Sequence, residues 1–179
     1  MSRLNVDKIT GKTGTNSGAP ITLSGDAATL GSAVTFPAGV IIGVENTTTT
    51  SIVSKSDTTF TTVISQSITV KANSKVLINV SCPISAGGDS DPAGGQIIQT
   101  GTASATIMSS TELMDEHHAS SGGYFGITIM SGVLSTAGSY TFSFQGNRLS
   151  GNAAVYFVSA NPGSGTASIA SMTLYEIAG

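Results

Sequence analysis

The densest group of chemically able side chains in this sequence is Glu112, Asp115, Glu116, His117 and His118. Carboxylates and imidazoles are the ligand set of a divalent metal, and an oligomer would multiply such a group into a ring. The spacing argues against it. Adjacent histidines face opposite sides of a strand and lie about 100° apart on a helix, so the plainer reading is a solvated loop. Asp89-Ser-Asp91 opens like a calcium loop, but Pro92 follows at once and no Glu stands at the twelfth position, which leaves an Asx turn. Gly11-Lys-Thr-Gly14 lacks the earlier glycine and the following helix of a phosphate loop. Gly163-Ser164-Gly165 is flanked by turn residues rather than by a strand and a helix, so it is no nucleophile elbow. The single cysteine, Cys82, is in phase with Val76, Ile78 and Val80 and reads as a small buried hydrophobe. The sequence therefore reads as that of a non-enzyme, with no metal and no cofactor.

The aromatic residues Tyr140, Phe142, Phe144, Tyr156 and Phe157 could stack on sugars, but their phase on strands favours packing. Val76, Ile78, Val80, Tyr140, Phe142 and Phe144 are assigned to the core or to a subunit interface. Asp89, Asp91, His117, His118, Asn147 and Arg148 are the exposed loop residues placed to touch a ligand.

Strands must position all of these. Residues 76–82 and 140–145 alternate apolar and polar side chains, the period of a half-buried strand. Residues 59–64, 67–70, 125–130, 153–159 and 168–177 read the same way, and 96–100 with 103–108 suggest a hairpin through Gly101. Residues 110–119 could form one or two helical turns capped by Ser110 or Thr111. Gly-, Asn- and Pro-rich turns punctuate these runs. The fold class is all-β, an antiparallel β-sandwich or jelly roll over residues 40–179. Residues 1–39 carry single apolar side chains amid polar and glycine-rich chain, too few to enclose a core. They are expected to be extended, ordered only against another surface.

Composition narrows the function. In 179 residues of net charge −3, only 9% are charged, against roughly 25% in ordinary globular proteins. Gly, Ser and Thr make up two residues in five, yet mean hydropathy is positive, so the chain is not disordered. Seven scattered basic residues do not make the clustered cationic surface that nucleic acid requires. No apolar run approaches the roughly 20 residues of a membrane helix, and residues 1–12 do not read as a secretory signal. Few charges also mean that much apolar or hydroxyl surface must be kept from solvent, which symmetric association achieves.

Residues 4–30, Leu-Asn-Val-Asp-Lys-Ile-Thr-Gly-Lys-Thr-Gly-Thr-Asn-Ser-Gly-Ala-Pro-Ile-Thr-Leu-Ser-Gly-Asp-Ala-Ala-Thr-Leu, with 34–40, Val-Thr-Phe-Pro-Ala-Gly-Val, resemble a leader on structural proteins of marine phages of picocyanobacteria. The strand start Ser74-Lys-Val-Leu77 and the final strand near Leu174-Tyr-Glu-Ile-Ala178 are similar to those of the small virion β-domains that follow it. The resemblance implies a virion protein whose leader anchors it through Leu4, Val6, Ile9, Ile21, Leu23, Leu30, Val34 and Phe36. Residues 40–179 would then be a tumour-necrosis-factor-like trimeric knob. It implies other virion proteins as partners, and a host glycan or protein at the loops. The usual long shaft is missing.

The leading expectation is thus a short trimeric tail-fibre-like appendage, and its alternative a capsid decoration or cement protein. A glycan hydrolase would need paired carboxylates roughly 5–9.5 Å apart, and a free-standing lectin leaves the leader unexplained. Residues 40–179 are expected to trimerise without residues 1–39. Light scattering on a sizing column checks this, and a folded monomer at micromolar concentration would count against it.

Overall fold

A computed structural model describes residues 8–9, 21–24, 27–30, 36–86, 92–114, 123–151, 153–159 and 167–179, the first three stretches and 110–114 by backbone alone. The chain divides into two units, Met1–Pro37 and Ala38–Gly179. In the first, strands β1 (Lys8–Ile9), β2 (Ile21–Ser24) and β3 (Ala27–Leu30) form an antiparallel sheet in that order. The backbone of these stretches is paired within the unit.

The second unit holds β4 (Ile41–Thr49), β5 (Val53–Lys55), β6 (Thr61–Val70), β7 (Lys75–Ala86), β8 (Ala93–Gly101), β9 (Ala105–Met114), β10 (Gly123–Met130), β11 (Gly138–Arg148), β12 (Val155–Phe157) and β13 (Ala170–Ile177). Every pairing is antiparallel: β4 with β13, β5 with β12, β6 with β11, β7 with β10 and β8 with β9. The unit is therefore one long two-stranded ribbon whose tip is the β8–β9 hairpin. At that tip Gly101 adopts φ +102°, open to glycine but not to L side chains.

Rolling the ribbon adds the pairings β13–β7, β12–β7 and β11–β8. One sheet then runs β4-β13-β7-β10, extended beyond the end of β13 by β12 and β5, and the other runs β6-β11-β8-β9. This is the jelly-roll order. The all-β sandwich expected from alternation is what the chain forms.

Alternation also explains the core. Val76, Ile78, Val80, Cys82 and Ile84 of β7 face Ile97, Tyr140, Phe142 and Phe144 of the other sheet, all essentially fully buried. The six residues assigned to packing thus lie inside a single chain's core. In β6 the adjacent Val63 and Ile64 are both buried, because a register shift against β11 absorbs one residue. The runs 59–64 and 67–70, which alternation reads as two strands, are one, because Ser65 and Gln66 pair with Ser143 and Phe142 in unbroken register.

The helix expected over 110–119 does not form in its first half. Residues up to Met114 continue β9, paired to β8, since tertiary pairing outweighs the weak local helix preference; 115–119 lie outside the described residues. A β-branched residue with positive φ, Val158 at +66°, follows β12. It is held by its own N–H to Pro83 O (2.8 Å) and by Ser168 N–H to its carbonyl (2.9 Å).

Phe144 stacks on Phe125 (centroids 5.2 Å, 13° between planes) and meets Phe157 edge-on (6.2 Å, 73°). Removing that ring empties the contact between the sheets. Phe144→Ala is expected to cost about 3–5 kcal/mol, read as a lowered urea midpoint with unchanged slope; a loss under about 1 kcal/mol would contradict the packing described.

Candidate association surface

The sandwich is polar in the geometric sense. The links β6–β7, β8–β9 and β10–β11, with both ends of the unit, lie at one end. The links β4–β5, β5–β6, β7–β8, β9–β10, β11–β12 and β12–β13 leave from the other. Asp89, Asp91, His117 and His118 lie outside the described residues, as do Leu4, Val6 and Val34. Ile9, Ile21, Leu23 and Leu30 fall in β1–β3, and Phe36 is half-buried.

Asn147 and Arg148 are corrected from loop residues to the last positions of β11. Asn147 is buried, its Nδ2 donating to Thr58 O (2.9 Å), while the Arg148 backbone N–H donates to Asp57 O and its Nη1 to Ala153 O. The turn between β5 and β6 takes the Asn147 amide and the Arg148 main-chain N–H, so it folds over Asn147. Beside them Lys55 Nζ reaches Asp57 Oδ1 at 2.8 Å and Thr61 Oγ1 at 3.0 Å. The Lys55 ammonium and the Thr59 N–H hold the Asp57 carboxyl below its usual range. Among the described residues no three His, Cys, Asp or Glu side chains gather as a metal site.

At the turn end the carboxylate of Glu176 is buried. Its Oε1 accepts from Lys71 N–H (2.6 Å) and Ser74 Oγ (2.8 Å) and so fixes the β6–β7 turn.

The outer sheet faces are where association chemistry lies. On the β4-β13-β7-β10 sheet, register sets Val44, Tyr175, Leu77 and Met130 side by side in one outward row. Val44 is 54% and Met130 43% exposed. The next row toward the chain ends brings Ile41, Ile177 and Lys75 together. On the other side comes a polar row, Asn46, Thr173, Asn79 and Thr128, tied by Asn46 Nδ2 to Thr173 Oγ1 (2.7 Å) and Asn79 Nδ2 to Thr128 Oγ1 (2.8 Å).

The opposite sheet shows hydroxyls and amides. Ser67 and Thr141 share a 2.7 Å hydrogen bond, and Gln96 Nε2 donates to Gln145 Oε1 at 2.7 Å. Lys75 is the one charged side chain placed on the outer face of the β4-β13-β7-β10 sheet, and β6, β11 and β8 place none on theirs. In the first unit, Ile9, Ile21 and Leu30 share a register row across three strands, next to the polar row Lys8, Thr22 and Thr29. The apolar outer row escaped sequence reading because Leu77 and Tyr175 stand out of phase with the core. An apolar residue in the polar phase of a strand is the signal that finds it.

No family model matches the chain, and no curated protein matches it. Solved structures do. The structure of infectious bursal disease virus Gx strain is 12% identical over 89% of this chain and 41% of that one, with a TM-score of 0.46. The Gt strain is 10% identical over 89% and 42%, TM-score 0.43. The VP2 subviral particle of the same virus is 11% identical over 76% and 38%, TM-score 0.44. The chain spans about two fifths of the length of these structures.

These matches correct the resemblance drawn from residues 4–40 and from the strand ends. What they return is structures of infectious bursal disease virus, not a phage tail-fibre protein or a tumour-necrosis-factor-like knob.

Cys82 has no exposed surface, and burial pushes its thiol up to about 11. The thiolate, the reactive form, is therefore scarce at neutral pH. In the native chain Cys82 is expected to stay silent to a disulfide reagent at pH 8 and to react fully in denaturant, measured by thiolate release. Rapid native reaction would contradict the burial.

Proposed function

We propose that this chain is a structural protein of a virion, a capsid decoration or cement protein that lies on the shell and ties neighbouring subunits together. The observation that supports it best is the near absence of charge from both broad sheet faces. Freely soluble domains carry roughly 25–35% charged residues on their surface, whereas the centres of protein interfaces are depleted in charge. The hydroxyl and amide ladders satisfy one another, so they can be covered without stranding polar groups. The row Val44, Tyr175, Leu77 and Met130 supplies the apolar contact.

Residues 1–39 act as the anchoring segment and residues 40–179 as the body. Its strands are only two to four residues long, so the sheet buries little by itself and gains by lying in a groove between shell subunits. The anchor uses Ile9, Ile21 and Leu30 from that row, with Leu4, Val6, Leu23, Val34 and Phe36 beside them in sequence. Three copies form the unit that sits on the shell.

Gold labelling of intact particles is expected to decorate the whole head. Val44→Lys, at an exposed site, is expected to weaken particle binding by about tenfold or more while leaving the fold intact, as would follow from about 1.4 kcal/mol of lost contact. Label confined to a tail, or unchanged binding of the Val44 variant, overturns the reading.

A further inference from the structure

We infer that β10 is an association edge, reserved for antiparallel pairing with β10 of a second copy about a twofold axis at Ile127. A sheet edge is a template for further strands, and proteins blunt edges with charge, bulges or shortness. The other edges here are blunted. β4 carries Glu45 and a register shift against β13, β5 is three residues long and ends in Lys55, β6 is bulged at Val63, and β9 shifts register three times against β8. β10 is paired to β7 in unbroken register over all eight residues, with no charge and no proline.

Ser131 N–H donates to Val76 O at 2.9 Å, directly beyond the Met130–Leu77 pair. Antiparallel alternation then turns the odd residues of β10 toward β7. The N–H and C=O groups of Tyr124, Gly126, Thr128 and Met130 face the open edge.

The sequence of β10 is self-complementary about Ile127. Antiparallel pairing there sets Tyr124 against the partner's Met130 and Gly126 against the partner's Thr128 on the outer face. Phe125 meets the partner's Ile129, and Ile127 the partner's Ile127, on the inner face. Tyr124 and Met130, 70% and 43% exposed, would cover each other, and Gly126 has open space beside it. The inner three are only partly buried although they pack on the core, so a second strand would close the core at this edge. A twofold consumes the edge of both copies at once, which gives closure rather than a growing fibre. This inference does not depend on the virion reading, and the pairing doubles whatever unit the other contacts build.

Two variants of the full chain test it. Opposed residues in such a pair have Cα atoms about 4.5 Å apart, within disulfide reach. Ile127→Cys should therefore give a disulfide-linked dimer under mild oxidation. Ile129→Cys should not, because its counterpart lies four residues away, about 13 Å along the strand. Thr128→Lys, at an exposed site, places two ammonium groups across the twofold and should halve the mass measured by light scattering. Unchanged mass in the Thr128 variant, no dimer from Ile127→Cys, or equal cross-linking at 127 and 129 would each overturn the proposal.

Discussion

The contact on which the sandwich turns is the burial of Phe144 between Phe125 and Phe157. Phe144 belongs to β11, in the middle of one sheet, while its two neighbours belong to β10 and β12 of the other. One ring therefore joins both sheets and both sides of β7. The geometry leaves little slack: Gly146, one inward position further along β11, lies against the Phe157 ring, where a Cβ would collide. Aromatic bulk and an absent side chain are matched across the core, the dense packing that specifies a single arrangement.

Once the inward set is fixed by that packing, the outward set follows from the two-residue period. Each strand that buries its apolar phase must show its other phase, and in this chain the other phase is mostly Ser, Thr, Asn and Gln. Both broad faces consequently carry little charge, while Lys55, Arg148 and the Asp57 carboxylate gather at the end of the sandwich where the longer links leave. Flats with so little charge are suited to close contact. The same alternation puts the row Val44, Tyr175, Leu77 and Met130 on the outer face, outside the core.

Much of the core was legible in advance. Val76, Ile78, Val80 and Cys82, and Tyr140, Phe142 and Phe144, each announce a strand by strict alternation, and they are buried as that pattern requires. Legibility failed where alternation breaks or where local preference is overridden. Val63 and Ile64 are adjacent and both buried, which only a bulge permits. Thr47 to Thr49 lack apolar signal yet belong to β4, because β13 lies alongside to pair with them. Thr111 to Met114 look helical in isolation and are drawn into β9 by β8. Asn147 looks like a loop residue and is buried, because the β5–β6 turn folds over it.

What the sequence determined by itself is class and phase: an all-β body with few charges, and which residues of its clearest strands turn inward. Those follow from local periodicity and composition, properties each segment carries on its own. The tertiary structure alone decided which strands became neighbours, and therefore which residues share a row. Val44, Tyr175, Leu77 and Met130 come from four strands spread over most of the chain, and only the rolled ribbon sets them side by side. The same holds for the open edge of β10. An edge exists only relative to the strands that pair elsewhere, and long-range hydrogen bonding is not written in any one segment.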